Sequence, residues 1–122
     1  MTPIILRLPH PVSVNRIWRS GNGRVFRSTE YQAWIAEAQG CWLQQKSKQE
    51  HKTIKAEYCL SIKAARPDKR RRDIGNLEKV VSDLLESMGV IEDDCLANRI
   101  TMEWTTEITD GILVTVSKWS GD

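Results

Sequence analysis

The residues best suited to chemistry lie together near the middle of the chain, where a run of cations precedes a carboxylate. The cations are Arg66, Lys69, Arg70, Arg71 and Arg72, and the carboxylate is that of Asp73. Arginine and lysine bind the phosphates of a nucleic-acid backbone, and aspartate oxygens are the hard ligands that Mg²⁺ prefers. A divalent ion held in this way can activate water and stabilise the charge that builds up at phosphorus. The stretch therefore favours metal-dependent chemistry on a polyanion.

A second acidic pair, Asp93-Asp94, follows at a distance that a helix and its return loop could close. Each feature also has a purely structural interpretation. Asp73 is suited to cap a helix N-terminus, and Lys79 to pair with Asp83 four residues later. Asp93-Asp94 is equally consistent with a solvated turn. Residue chemistry alone leaves these alternatives open.

Composition narrows the class of protein. The 122 residues fit one domain, expected over 1–122, and a chain that is 40% hydrophobic and 28% charged can build a modest core. The net charge is only +2, yet the cations gather in the first half, Arg16 among them, and this distribution is typical of a protein that binds a polyanion.

The three cysteines form no CxxC pair, which argues against a disulfide scaffold and a zinc site. We expect them to be reduced and to act as small apolar side chains that fill the core. With no apolar run of about 18 residues and no signal-peptide pattern, we expect a soluble cytoplasmic protein.

The elements that must position these residues follow from hydrophobic periodicity. Helical spacing predicts a helix over 29–48, capped by Ser28, and a second over 75–88, ended by Gly89. Alternation predicts strands over 4–8, 58–64, 100–104 and 112–116, with a loop around 21–23 and a hairpin joining the last two strands. The fold class is therefore α+β, with a small mixed sheet of about four strands and two main helices. The core faces of the helices are Tyr31, Trp34, Ile35, Ala38 and Trp42 in the first and Leu77, Val80, Val81, Leu84 and Met88 in the second.

Three motifs in order resemble those of the RusA-type Holliday junction resolvases. Residues 71–79, Arg-Arg-Asp-Ile-Gly-Asn-Leu-Glu-Lys, resemble the family signature Arg-Arg-Asp-x-Asp-Asn-x-x-Lys. Residues 8–16 resemble the N-terminal Leu-Pro-x-Pro-Pro-Ser-x-Asn-Arg, and residues 89–94 resemble Gly-x-x-x-Asp-Asp. With the final strands, the resemblance covers nearly the whole chain.

The resemblance implies a homodimeric endonuclease, often prophage-encoded, that nicks four-way DNA junctions symmetrically with Mg²⁺ or Mn²⁺. Such enzymes act in DNA recombination and repair. Their catalytic set is three aspartates and a lysine. Carried onto this chain, Asp73 and Asp94 would ligate the metal, and Lys79 would hold the scissile phosphate or stabilise developing charge. Arg16 and the basic residues of 66–72 would grip the junction backbone.

One position departs from the family pattern, because Gly75 stands where the middle aspartate is expected. A site with one carboxylate fewer binds divalent ions more weakly. Three explanations compete: a close backbone approach that only glycine permits, a natural relative that does not cleave, and a substitution that disarmed the nuclease. Asn76 or Asp93 could partly fill the gap.

The sequence therefore predicts a RusA-type, structure-selective endonuclease whose activity Gly75 impairs. The alternative from another class is a junction-binding protein that does not cut. A third, weaker alternative is an RNA-binding module without metal chemistry.

Overall fold

Six strands and two α-helices follow one another along the described part of the chain. The structure is a computed structural model that describes residues 3–12, 18–21 and 24–121. Within these ranges, the side chains of 18–21 and 24–27 are not described. The elements are β1 (Ile4–Leu8), β2 (Trp18–Gly21), β3 (Arg24–Arg27), α1 (Thr29–Lys46), β4 (Tyr58–Ala64), α2 (Glu78–Ser87), β5 (Ala97–Trp104) and β6 (Ile112–Lys118). Short 3₁₀ turns, Ile74–Leu77 and Asp94–Leu96, precede α2 and β5.

The main sheet has four strands in the order β1-β6-β4-β5. β6 is antiparallel to both β1 and β4, whereas β5 is parallel to β4. The sheet is thus mixed, and the predicted α+β class is confirmed. Its helix-facing side chains alternate along each inner strand, so that Leu60, Ile62, Val114 and Val116 are buried.

The predicted hairpin between the last two strands is wrong, because β4 lies between β5 and β6. Residues 105–111 cross the end of β4, where the Thr105 N–H donates to the Ala64 carbonyl and the Ala65 N–H donates to the Gly111 carbonyl. Every second residue of β4 is buried, which suits an inner strand, whereas β5 is largely exposed. A polar, exposed strand is best placed at a sheet edge.

The predicted loop around 21–23 is also wrong in part, since β2 and β3 on either side of it pair antiparallel as a separate two-stranded sheet. The linking sequence Asn22-Gly23 is a common hairpin connection, and this signal favours two strands over one loop. Arg16 and the other residues of 13–17 lie outside the described residues.

Both predicted helices are confirmed, with shifted ends. The Ser28 hydroxyl accepts the Tyr31 N–H at 3.1 Å and starts α1, which buries Tyr31, Trp34, Ala38 and Trp42. The second helix begins as the 3₁₀ turn and becomes α-helical at Glu78. Leu77, Val80, Val81 and Leu84 are buried as predicted, and Met88 is half-buried. Gly89 has a φ of 75° just beyond the helix end, where a left-handed residue stops a helix.

Two glutamines, one in the last turn of α1 and one just beyond the helix, hold the outer edge of β1. The Gln49 amide accepts the Ile5 N–H at 3.1 Å and donates to the Ile5 carbonyl at 2.7 Å. The Gln45 amide does the same for Arg7, at 2.6 and 2.7 Å. The amide groups of the two side chains thus bond to the edge of β1 in place of a neighbouring strand.

The cysteines are free thiols, in line with the prediction of reduced residues. Cys41 and Cys59 are partly buried, but Cys95 is exposed and does not fill the core.

Candidate active site

Asp73 stands at the start of the second helical segment and acts there as an N-cap. Its backbone is extended, and its Oδ1 accepts the N–H of Gly75 at 2.9 Å. The side chain is exposed and forms no ion pair within the described part of the chain. Because the cap uses only Oδ1, the other carboxylate oxygen of Asp73 is available to bind a metal ion.

Lys79 and Asp94 are brought together by the return of the chain after α2. The Lys79 Nζ lies 3.3 Å from Asp94 Oδ2 and 3.0 Å from Asp83 Oδ1. The pairing with Asp83 and the proximity to Asp94 therefore coexist. Hydrogen bonds to Asp83 and then Asp94 raise the pKa of Lys79. The exposed amine is held as a cation between two carboxylates, a position from which it can also reach a phosphate.

Three carboxylates meet where the chain enters the 3₁₀ turn before β5. The Asp94 N–H donates to Glu86 Oε1 at 3.0 Å, and Asp93 Oδ1 accepts the Cys95 N–H at 2.9 Å, which lowers the pKa of Asp93. One oxygen each from Glu86, Asp93 and Asp94 lies within 4.8 Å of the others. Such oxygen-only donors suit Mg²⁺, Mn²⁺ or Ca²⁺. This group is called the acidic cluster below.

Asp73 does not belong to the acidic cluster and forms no hydrogen bond or ion pair with Lys79 in the described structure. Of the predicted residues Asp73, Lys79 and Asp94, the structure therefore brings Lys79 and Asp94 together. Glu86 was missed by the sequence analysis, although it lies on the same helix face as Lys79 and Asp83 at positions i+7 and i+3.

Tyr58, which the sequence analysis placed only in a strand, lies under this region. The residue is fully buried, and its hydroxyl has no hydrogen-bond partner in the described structure. Burial, together with the nearby negative charges, Asp94 foremost among them, raises the pKa of Tyr58 to about 12. The hydroxyl stays protonated at neutral pH.

Gly75 is not required by the surrounding packing. Its φ is not in the left-handed region, and a Cβ built on it would meet only the carboxylate of Asp73, with Oδ1 at 3.2 Å. No described backbone approaches this position within 4 Å. Of the three explanations for glycine, the close backbone approach therefore finds no support among the described residues.

The basic residues of 66–72 divide into engaged and available cations. Asp68 binds Arg72 at 2.6 Å and Arg70 at 3.2 Å, and these bonds hold the pKa of Asp68 well below its usual range. The Arg66 guanidinium lies 4.7 Å from the centre of the Trp104 ring. Lys69 and Arg71 are exposed and form no ion pair in the described part of the chain. These two are the cations of the run best placed to meet a phosphate.

Comparison with known proteins gives one consistent result. The family described as Endodeoxyribonuclease RusA matches residues 9–117. A curated relative from Aquifex aeolicus (strain VF5), "Crossover junction endodeoxyribonuclease RusA", is 31% identical over 112 residues, which cover 90% of this chain and 85% of the relative. None of the helices in the described residues has the length and apolar character needed to span a bilayer.

Proposed function

The chain belongs to the endodeoxyribonuclease RusA family, and from this premise we propose that it binds four-way DNA junctions and resolves them by paired, metal-dependent nicks. The observation that carries the proposal is the meeting of Lys79 with Asp94 at the acidic cluster, beside the family's signature segment. Its DNA substrate would place the protein in the cytoplasm of a bacterium, encoded by the host or by a prophage.

The donor set around Asp94 fits a divalent cation, because it consists of carboxylate oxygens close to one another. In the proposal, Asp94 holds Mg²⁺ or Mn²⁺ together with Glu86 and Asp93. Asp73, which lies outside the acidic cluster in this structure, is the further ligand that the family pattern implies. Bound there, the ion would lower the pKa of a water molecule and stabilise charge at phosphorus.

The chain's own residues then orient the DNA. Lys79, whose pKa is raised by its carboxylate neighbours, stays charged at neutral pH and binds a non-bridging oxygen of the scissile phosphate. Lys69 and Arg71 bind flanking phosphates, whereas Arg70 and Arg72 shape their loop through Asp68. Arg16 and Arg66 complete the proposed contacts with the junction backbone.

A non-cleaving junction-binding protein is the second candidate, and Gly75 is the observation that favours it. The position lacks the carboxylate of the family pattern, and the packing around it would admit a Cβ with a small shift of Asp73. In that case the basic residues bind the junction, but the metal site does not support cleavage.

The test is nicking of a synthetic four-way junction over a titration of Mg²⁺ and Mn²⁺, with Asp94→Asn and the control Asp110→Asn. Asp94→Asn keeps the shape but removes a charged ligand, so we expect nicking to fall about 100-fold or more, with unchanged junction affinity in metal-free buffer. Asp110, in the loop between β5 and β6, pairs with Arg7 and is not among the proposed metal ligands, so its variant should nick normally.

Equal nicking by Asp94→Asn and the unmodified chain would contradict the proposed site. Tight junction binding without nicking at any metal concentration would instead establish the second candidate. Preference for RNA over both junction and linear duplex DNA would contradict both.

A further inference from the structure

A small pocket opens directly beside Asp73, where the N-terminal segment, the basic residues and the end of β5 meet. Its volume is about 210 Å³, and its walls include His10, Arg71, Asp73, Asn76 and Trp104. Sites for drug-sized ligands measure about 300–1,000 Å³, so this pocket suits one small planar group. The wall combines an indole ring, an imidazole, an amide, a carboxylate and two guanidinium groups.

The backbone of His10 is fixed in this wall. Pro11 restricts the preceding His10 to extended conformations, and the carbonyl of Pro9, on its other side, accepts the Trp34 indole N–H at 3.0 Å. Burial and then the charge of Arg72 lower the pKa of His10, so that the ring is neutral at pH 7.

The His10 ring carries an unused hydrogen-bonding group. Its Nδ1 is shielded from solvent and has no partner among the described residues. A shielded polar atom without a partner is unfavourable, so a bonding partner would stabilise it. Rotation about the Cβ–Cγ bond has two broad minima, and it can turn a ring nitrogen toward the pocket.

Trp104 offers an aromatic surface on the opposite element. It is the last residue of β5 and is only half-buried, and the Arg66 guanidinium packs on its ring at 4.7 Å from the centroid. Nucleobases stack on such rings whatever their identity, and a neighbouring arginine strengthens the contact.

We propose that this pocket receives one unstacked nucleotide of the junction, next to the phosphate that is to be cut. The base packs against Trp104, its polar edge bonds to His10 and the Asn76 amide, and its phosphate meets Arg71. Because an amide and a neutral imidazole discriminate among base edges, this contact also determines which sequences are preferred at the crossover. The inference rests on the proposed function, since the occupant is part of the junction.

The test uses junctions carrying 2-aminopurine at single positions around the crossover, bound in metal-free buffer so that cleavage plays no part. At one position, binding of the unmodified chain should change the fluorescence several-fold as the base leaves the DNA stack. Trp104→Leu and His10→Gln should each abolish that change and raise the dissociation constant roughly tenfold.

Two matched controls are available in the chain. Trp119 also carries an arginine on its ring, Arg99 at 4.9 Å, and His51 also has an Nδ1 without a partner in the described residues. Trp119→Leu and His51→Gln should retain both the fluorescence change and the affinity. Circular dichroism of every variant checks that the fold is kept, and His10→Gln alone decides the outcome if Trp104→Leu unfolds.

The possible failures are distinguishable. Junction binding with the same fluorescence change in Trp104→Leu, His10→Gln and the controls would overturn this inference and leave the proposed function standing. Absence of specific junction binding by the unmodified chain would contradict the proposed function and this inference with it.

Discussion

Gly75 is the single residue that most affects the proposed nuclease activity. The Gly75 N–H donates a hydrogen bond to Asp73 Oδ1, so the glycine backbone already orients the neighbouring carboxylate. A side chain at 75 would begin 3.2 Å from that oxygen, a tight contact with the end of a side chain rather than with backbone. The site therefore tolerates an aspartate at the cost of a small shift of Asp73.

Gly75→Asp should raise junction nicking by about 100-fold or more, because it adds an oxygen ligand and a negative charge beside Asp73. The free energy of unfolding should change by less than about 1 kcal/mol, since the gain in helix propensity over glycine offsets the tight contact. Nicking assays over a Mg²⁺ and Mn²⁺ titration and urea denaturation measure the two effects.

Gly75→Asn is the matched control for this substitution, because it adds the same bulk without the charge and should restore little activity. Asp73→Asn introduced beside Gly75→Asp should abolish the gain. The interpretation is contradicted if Gly75→Asp leaves nicking unchanged, or if the unmodified chain cuts efficiently without Asp73 and Asp94.

At the scale of the element, the loop over 66–72 is organised by an acid among its cations. Asp68 accepts from Arg72 Nε and Nη2 and from the Arg70 backbone and side chain. Arg66 packs on the Trp104 ring, so that Lys69 and Arg71 are the exposed cations of the loop with neither an ion pair nor a ring contact in the described structure. The loop thus presents fewer available charges than its composition suggests.

Replacing Lys69 and Arg71 with alanine should flatten the dependence of log affinity on log salt by about two units, because each phosphate that a cation neutralises accounts for roughly 0.9 of the slope. Replacing Lys52 and Lys55, two exposed lysines outside the loop, should leave that slope unchanged. Measurements of junction binding at salt concentrations between about 50 and 200 mM give the slopes. An equal slope for both double variants would show that the loop is only a solvated surface.

The attachment of β1 to the end of α1 and the turn after it is a second feature at this scale, and it also supports the segment that carries His10. Gln45→Ala and Gln49→Ala each remove two hydrogen bonds to the β1 edge and should each lower the free energy of unfolding by about 1–2 kcal/mol.

Gln44→Ala, on the exposed side of the same helix, is the control and should change stability by less than about 0.5 kcal/mol. Urea denaturation at pH 7 compares the three variants. Equal urea midpoints for the three variants would mean that water replaces the hydrogen bonds of the two glutamines with no loss of stability.

For the whole molecule, paired nicking requires two active sites related by a two-fold axis, and we propose a homodimer for that reason.

Light scattering at micromolar concentration should therefore give about 28 kDa, twice the 14.0 kDa of one chain. Addition of a four-way junction should give a complex of one junction with two chains. A mass near that of one chain, with and without junction DNA, would contradict the dimer.

Local sequence patterns were sufficient to determine the helices, the inner strands and the family motifs. The stripe from Tyr31 to Trp42, the alternation through Tyr58–Ala64 and the cap at Ser28 depend on contacts between near neighbours, and near neighbours are visible in a sequence. Asp73 and the Asp93-Asp94 pair were singled out from residue type and position, and Lys79 through the resemblance to the family motif; their catalytic roles stay predictions.

Tertiary structure alone decided the relations between distant segments. Whether β6 pairs with β5 or inserts beside β4 depends on which strand can be buried on both edges, and a turn sequence at 109–111 does not carry that information. The meeting of Lys79 with Asp94 and the pocket between His10 and Trp104 likewise arise from how the chain returns on itself. Side chains distant in sequence become neighbours only when burial of the core determines the path of the backbone between them.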